Sequence, residues 1–223
     1  MSELNETNLM ELDQRSMERC FVELGSKAFH GRNVFKWIHK QGVIDFNQMT
    51  DISKRLRVQL ESLAEIRLPE LVFEQPARDG TRKWVLQLDD GQRIETVYIP
   101  DGERSTICVS SQVGCALNCS FCSTGSPGFQ PQSLGGGDYR PGLGWPAVNW
   151  WHPPTNIVLM GMGEPLANFD AVVTAMDIMQ DDSAYMLSKY RVTISTSGIV
   201  PALRQLREVS DVSLARVAAC ADQ

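Results

Sequence analysis

The sequence has little basic charge, little histidine and no long apolar run. Its 223 residues carry 21 Lys and Arg against 27 Asp and Glu, a formal net charge of −6, so composition gives no support to nucleic-acid binding. Every apolar run falls far short of the roughly 20 residues that cross a bilayer. The first residues, MSELNETNLMELDQ, are acidic and polar, unlike a secretory signal peptide. These absences predict a cytoplasmic protein.

A second pair of closely spaced cysteines is also missing. Four of the six cysteines lie in CVSSQVGCALNCSFCST, residues 108–124. A reducing compartment disfavours a disulfide knot, and structural zinc usually takes four ligands, often from two separated C-x2-C pairs. Accidental clustering of small core residues is a weaker alternative. Cys115, Cys119 and Cys122 form C-x3-C-x2-C, a spacing that suits a [4Fe–4S] cluster with one iron open to a substrate.

What the chain does contain begins with a helical N-terminal region. Apolar spacing of three and four residues predicts helices at 13–25, 32–40 and 51–66, the last of them ended by Pro69. Basic residues follow the exposed faces, as expected of either a solvated surface or a small RNA-docking module. They are Arg15, Arg19, Lys27, Arg32, Lys36, Lys40, Lys54, Arg55 and Arg57.

From Leu71 onward, apolar residues recur at every second position, as in a strand with one buried face. Strands are predicted at 71–74, 83–88, 94–99 and 106–109, with Asp89-Asp90-Gly91 as a hairpin turn. Strand NIVLMGMG, helix NFDAVVTAMDIMQ, strand RVTISTSG, helix VPALRQLREV and strand DVSLA then alternate. This alternation predicts parallel βα units and an α/β fold, either a doubly wound sheet or an incomplete barrel.

These patterns predict three segments. Residues 1–68 form a helical accessory domain, residues 69–104 connect it through strands, and residues 105–223 form the core. Residues 125–154 fit no helical or strand period, because they hold seven of the 17 glycines and six of the 11 prolines. A structureless insertion of that length is unexpected inside a compact α/β unit.

Four motifs taken together resemble one family. They are the cysteine loop, GMGEP at 161–165, IETVYIP at 94–100 and RVTISTSGIVPAL at 191–203. The cysteine loop resembles the radical S-adenosylmethionine (SAM) superfamily, and the set resembles the RlmN-like adenine-C2 RNA methyltransferases. The resemblance implies a small helical RNA-binding domain followed by an incomplete radical SAM (β/α) partial barrel.

The resemblance also assigns the cofactors. It implies a [4Fe–4S] cluster and SAM. In such an enzyme the cofactors carry the chemistry and the protein positions them. The implied cluster ligands are Cys115, Cys119 and Cys122. The implied SAM contacts are Gly163, Glu164 and Ser195.

Two further residues receive catalytic roles from the resemblance. Glu95 matches a proton acceptor, and Cys108 matches one of two cysteines that react covalently, here by helping to release the product through a disulfide. The implied reaction adds a methyl group to C2 of adenine in 23S rRNA and tRNA by a radical route, on a base extruded from the folded RNA. A monomer served by an electron donor such as flavodoxin is expected.

Two alternatives stay open at this point. A related radical SAM methyltransferase directed at another adenine carbon shares most of these motifs. A non-catalytic iron–sulfur or RNA-binding module is the other, and RNA binding that persists without the cluster and falls steeply with salt would favour it.

Two stretches depart from the family pattern, residues 130–153 and 216–223. Permitted codons for 215–223, read one base later, give Arg-Val-Ser-Leu-His-Ala-Pro-Thr, which restores a Ser-Leu-His SAM contact of the family. The same shift over 130–153 yields an amphipathic helical pattern. We therefore hypothesise two frame disruptions. The family also continues past the last residue here, where its methyl-carrying cysteine belongs, so the chain as written is expected to fold poorly and to be inactive.

Overall fold

A computed structural model describes residues 7–117, 119–120, 122–124 and 154–216. The expectations for 125–153 and 217–223, including most of both proposed frame disruptions, lie outside the described residues. The chain divides into two compact units, Met1–Leu68 with Thr174–Met186, and Pro69–Val173 with Leu187–Gln223. In the described ranges, no helix is long and apolar enough to cross a membrane.

The first unit is helical, as its apolar spacing predicts. Helix α1 spans Gln14–Glu23, α2 spans Ala28–His39 and α3 spans Lys54–Leu63. The carboxylate of Asp13 caps α1 by accepting from the Ser16 amide at 2.6 Å, because the first amides of a helix lack partners inside it. Short 3-10 turns at 9–11 and 46–48 complete the unit together with residues 174–186.

The core of this unit is formed by the apolar faces of the three helices and the two short turns. Burial of such side chains is the main stabilising term in a domain of this size. The fully or nearly fully buried residues include Leu9, Met10, Met17, Phe21, Val34, Phe35, Ile38, Phe46, Met49, Ile52 and Leu60.

The predicted end of the third helix is wrong. The helix ends at Leu63, before Pro69, because Ala64–Glu65 (β2) turns into an extended pairing with Thr7–Asn8 (β1). The Asn8 side chain reinforces this parallel pair by bonding to both the amide and the carbonyl of Arg67 at 3.0 Å. Local propensity favours the longer helix, and the tertiary pairing overrides it.

The second unit is built on a mixed sheet of seven strands within the described residues. Their order in the sheet follows the chain, antiparallel over the first four and parallel over the last four. The strands are β3 (Glu70–Pro76), β4 (Arg82–Gln87), β5 (Arg93–Asp101), β6 (Arg104–Val109), β7 (Asn156–Leu159), β8 (Val192–Thr196) and β9 (Ser213–Arg216). Helix α4 (Phe169–Gln180) follows β7 and α5 (Val200–Val209) follows β8. The predicted α/β class is confirmed.

The two faces of this sheet differ in burial. One face is apolar and buried, and it carries Trp84, Leu86, Ile94, Ile107, Val109, Ile157, Leu159, Val192 and Ile194. Successive side chains of a strand point to opposite faces, so the alternate residues share the second face. Along it, Val97, Cys108, Val158 and Thr193 are aligned by register on four neighbouring strands. This second face is half-buried.

Candidate active site at the carboxyl ends of three strands

Strands β6, β7 and β8 are parallel neighbours, so their carboxyl ends lie at one edge of the sheet. In open α/β sheets this edge is where ligands bind. The segment after β6 leads into the cysteine loop, the segment after β7 is GMGE, and the segment after β8 is Ser197-Gly198. The predicted cluster cysteines follow β6, Gly163 and Glu164 follow β7, and Ser195 lies within β8 near its end.

The segment that leads into the cysteine loop is hydrogen-bonded to the GMGE loop. The Ser111 amide donates to the Met162 carbonyl at 2.7 Å, and the Met162 amide donates to Ser110 Oγ at 3.0 Å. One step further along, the Glu164 amide donates to Gln112 Oε1 at 3.0 Å. These bonds fix the direction in which the chain leaves β6 towards its three cysteines.

Gly163 is required by this close approach. Its φ of +96° lies in the region that side chains rarely adopt, and an added Cβ would stand 2.6 Å from Gln112 Cβ and 2.8 Å from Ser111 Oγ. Gly161 is equally restricted, with an added Cβ 2.8 Å from the Ser110 amide nitrogen. Both glycines of the motif thus have a packing reason that holds without any bound cofactor.

Glu164 is a buried carboxylate with several donors around it. The residue is 4% exposed. Its Oε1 accepts from Thr196 Oγ1 at 2.6 Å and from the Leu166 amide at 3.0 Å. Its Oε2 accepts from the Ser197 amide at 2.8 Å and from Ser197 Oγ at 3.0 Å. The side chain predicted to contact SAM therefore joins the end of β7 to the end of β8.

Ser195 lies on the other side of β8. It is half-buried and pairs in register with Ala215 of β9, whereas its neighbour Thr196 is 2% exposed. Because side chains alternate along a strand, Ser195 shares the half-buried face with Cys108, and Thr196 shares the buried one. Its predicted SAM contact stays a prediction.

Glu95 and Cys108 share the half-buried face. Cys108 pairs with Val97 across β5 and β6, so Glu95, two residues before Val97, is its diagonal neighbour. The Glu95 carboxylate forms an ion pair with Lys83 Nζ at 2.6 Å, with side chains 45% and 39% exposed. The structure thus places the two predicted catalytic residues within one small area of the sheet.

Cys108 carries a free thiol in a poorly solvated position. Burial raises its pKa above the ordinary value of 9.0, and a backbone hydrogen bond from Met160 opposes the shift in part. A thiol with a raised pKa is protonated at neutral pH. Any covalent step at this sulfur therefore needs a base to take up the proton.

The cysteine loop brings thiols near one another. Cys115 and Cys122 are partly buried, and the Cys122 amide donates to the Cys119 carbonyl at 3.0 Å. Burial raises the pKa of Cys115, a bond from the Leu117 backbone lowers it, and the charges of Cys122 and Glu164 raise it further. A thiol with a raised pKa is protonated at neutral pH.

The donor set of the loop fits an iron–sulfur cluster, since three cysteine sulfurs on one short segment are the ligands such clusters take. Across the described parts of the chain, no group of three or more His, Cys, Asp or Glu side chains is already arranged to hold a metal ion. The cluster ligands therefore remain a prediction supported by the spacing of the three cysteines.

Sequence reasoning missed the residues that surround the predicted ones. Thr196 and Ser197 bind Glu164, Ser110 and Gln112 hold the GMGE loop, and Lys83 pairs with Glu95. Only Thr196 could have been found from the sequence, because side chains alternate along a strand and its side chain therefore points to the other face of the sheet from Ser195. The others depend on contacts between distant parts of the chain.

Comparison with known proteins agrees with this geometry. A family model for the ribosomal RNA large subunit methyltransferase N-terminal domain matches residues 7–66, and the radical SAM superfamily model matches residues 109–219. Proteins named dual-specificity RNA methyltransferase RlmN are 52% identical over 93% of this chain in Marinobacter nauticus and 51% identical over 95% in Francisella tularensis subsp. novicida. The chain belongs to the RlmN family.

The match to RlmN proteins is partial in length. The chain spans 58% of the Marinobacter and of the Francisella protein. A crystal structure of a radical SAM methyltransferase from Sphaerobacter thermophilus superposes with a TM-score of 0.79 at 34% identity, over 93% of this chain and 62% of that one. The two family models together account for most of the described residues.

Proposed function

We propose that this chain supplies the cluster- and SAM-binding part of a radical SAM enzyme that methylates C2 of adenine in 23S rRNA and tRNA. The observation that carries the proposal is the junction of three strand ends, where the segment that leads into the C-x3-C-x2-C loop, the GMGE loop and the β8 terminus are linked by hydrogen bonds. Membership of the RlmN family supports the same reaction.

Within this proposal, Cys115, Cys119 and Cys122 would hold a [4Fe–4S] cluster. When bound, the cluster supplies the electron that cleaves SAM. Gly163, Glu164 and Ser195 belong to the SAM site. The chain's own contribution is to fix the loops after β6, β7 and β8 before any ligand arrives, which lowers the cost of ordering them on binding.

Glu95 and Cys108 would act on the half-buried face of the sheet. Glu95 accepts a proton at a carboxylate oxygen that Lys83 holds in place. Cys108 holds its proton at Sγ until a base removes it, since burial raises its pKa. Their diagonal placement favours work on one substrate.

The partners follow the same proposal. RNA phosphates are negatively charged, so the exposed basic residues of α1–α3 would be the ones that contact rRNA and tRNA. They would do so although the net charge of the chain is negative. A flavodoxin-type donor would supply the electron. The chain would act as a monomer in the cytoplasm, where a reducing environment keeps cluster-forming cysteines available as thiols.

Anaerobic reconstitution with iron and sulfide tests the proposal. The wild-type chain should gain a broad absorption near ~400 nm, and Ser substitution of Cys115, Cys119 or Cys122 should abolish it. Cys108→Ser is the matched control and should keep the absorption, because Cys108 is assigned a covalent role and not a ligand role. Absorption that survives in all three ligand variants would contradict the proposal.

The reaction itself needs a second measurement. After reduction, cleavage of SAM to 5′-deoxyadenosine and methionine is measured, and RNA is analysed for methylated adenine. The chain as written is expected to be inactive, so substantial turnover would contradict that expectation. Methylation at another adenine carbon would refute the C2 assignment, and RNA binding without any SAM cleavage would favour the non-catalytic module.

A further inference from the structure

Glu164 has no capacity left to accept a hydrogen bond from a ligand. A carboxylate offers two oxygens with about four lone-pair sites in total. Thr196 Oγ1 and the Leu166 amide occupy Oε1, at 2.6 and 3.0 Å, and the amide and hydroxyl of Ser197 occupy Oε2, at 2.8 and 3.0 Å. A cofactor ammonium could bind this carboxylate only by displacing one of these donors.

Displacement of either donor to Oε1 would leave a polar group without a partner in a buried place, whereas Ser197, the donor to Oε2, is partly buried. Glu164 is 4% exposed and Thr196 is 2% exposed, so water cannot replace a lost bond at either group. A buried donor or acceptor without a partner loses its full hydration energy. The internal arrangement is therefore favoured over a side-chain contact with a ligand.

The same residue connects more than two segments. Its backbone amide donates to Gln112 Oε1 of the segment after β6, while its carboxylate binds Thr196 and Ser197 after β8. The Thr196 hydroxyl in turn accepts from the Gly198 amide at 3.0 Å. Glu164 is thus the point at which the ends of all three strands are joined.

We propose that Glu164 is a positioning residue, whose carboxylate holds the β8 end against the GMGE loop, with Thr196 and Ser197 as its partners. This rests on the proposed function for the identity of the ligand, and it confines any SAM contact at this position to the backbone of Gly163 and Glu164. Loss of the carboxylate moves the β8 end and, with it, Ser195 on the opposite face of the strand.

Hydrogen exchange of the metal-free chain tests the positioning role without the cluster or SAM. Glu164→Gln keeps the shape but turns a donor toward one of the two backbone amides that the carboxylate binds, so exchange at Ser197 or at Leu166 should accelerate at least about tenfold, as measured by NMR. Thr196→Val, which removes one donor and keeps the volume, should accelerate exchange at Gly198. Ser195→Ala, on the opposite face, should leave these amides within about twofold of wild type.

SAM binding to the reconstituted chain is the second readout, by equilibrium dialysis. A positioning role predicts that Thr196→Val weakens SAM binding in parallel with Glu164→Gln. If Glu164→Gln weakens binding while exchange at both Ser197 and Leu166 stays unchanged and Thr196→Val binds normally, the carboxylate is a direct ligand and the inference is overturned. A wild-type chain that fails to bind SAM refutes the proposed function alone, because the exchange result does not depend on it.

Discussion

Acid should destabilise the first unit through one residue, His39. Its ring is 4% exposed, its Nδ1 lies 3.3 Å from Tyr185 Oη, and its Nε2 has no partner among the described residues. The Phe35 ring packs against it with centroids 4.6 Å apart. Burial lowers the pKa of His39 from 6.5 to about 3, so the folded chain keeps this imidazole neutral.

The sign and size of the effect follow from proton linkage. Below pH 6.5 the unfolded chain binds a proton at His39, and the folded chain does not until about pH 3, so stability falls as pH falls through this window. The loss is about 1.4 kcal/mol per pH unit, which gives about 2 kcal/mol at pH 5 relative to pH 7.5. The opening equilibrium of the first unit should rise about 30-fold over the same range through His39 alone.

Hydrogen-exchange mass spectrometry of the α2 segment, Ala28–His39, measures this opening. His39→Leu should remove about 2 kcal/mol of the difference between pH 7.5 and pH 5. The partly buried His30, hydrogen-bonded to Ser26 at 2.8 Å, provides the control, since His30→Gln should leave the His39 effect in place. A pH dependence that is the same in wild type and His39→Leu would refute the reasoning.

Three further predictions concern stability and use urea unfolding. Gly163→Ala should cost at least about 2 kcal/mol more than Gly91→Ala, since both have positive φ but only the first meets neighbouring atoms within 4 Å; equal costs would show that the loop can move apart. Asp13→Ala should cost about 1 kcal/mol through the lost cap of α1, and Asp13→Asn should recover most of it. Lys83→Met should change the unfolding free energy by less than about 1 kcal/mol, because its pair with Glu95 is largely solvated; a larger loss would mean that the pair is shielded from water.

The sequence was most informative where local chemistry decides the structure. Periodicity and turn residues predict α5 to the residue and the turn at Gly91, whose φ is +81°. The alternation of strands and helices likewise predicts the parallel half of the sheet, because side-chain period reports directly on which face is buried.

The sequence was least informative where segments distant along the chain meet. The pairing of β1 with β2 ends α3 early, and it depends on a contact across 57 residues, Thr7 with Ala64. Glu164 shows the same limit, because its four donors come from two segments and its motif suggests only a ligand contact. A motif identifies which residues matter, and packing decides whether a side chain faces the ligand or the protein.

The first unit is discontinuous, and this limits how the protein can be divided. Residues 174–186 belong to it, and they include Tyr185, the neighbour of His39. A fragment cut after Leu68 separates His39 from that neighbour. A chimera that exchanges residues 1–68 for those of a relative replaces His39 while keeping Tyr185. A recombination point at Pro69 would therefore divide the first unit, because residues 174–186 stay with the second segment. Relatives can exchange the first unit only if residues 174–186 are exchanged together with residues 1–68.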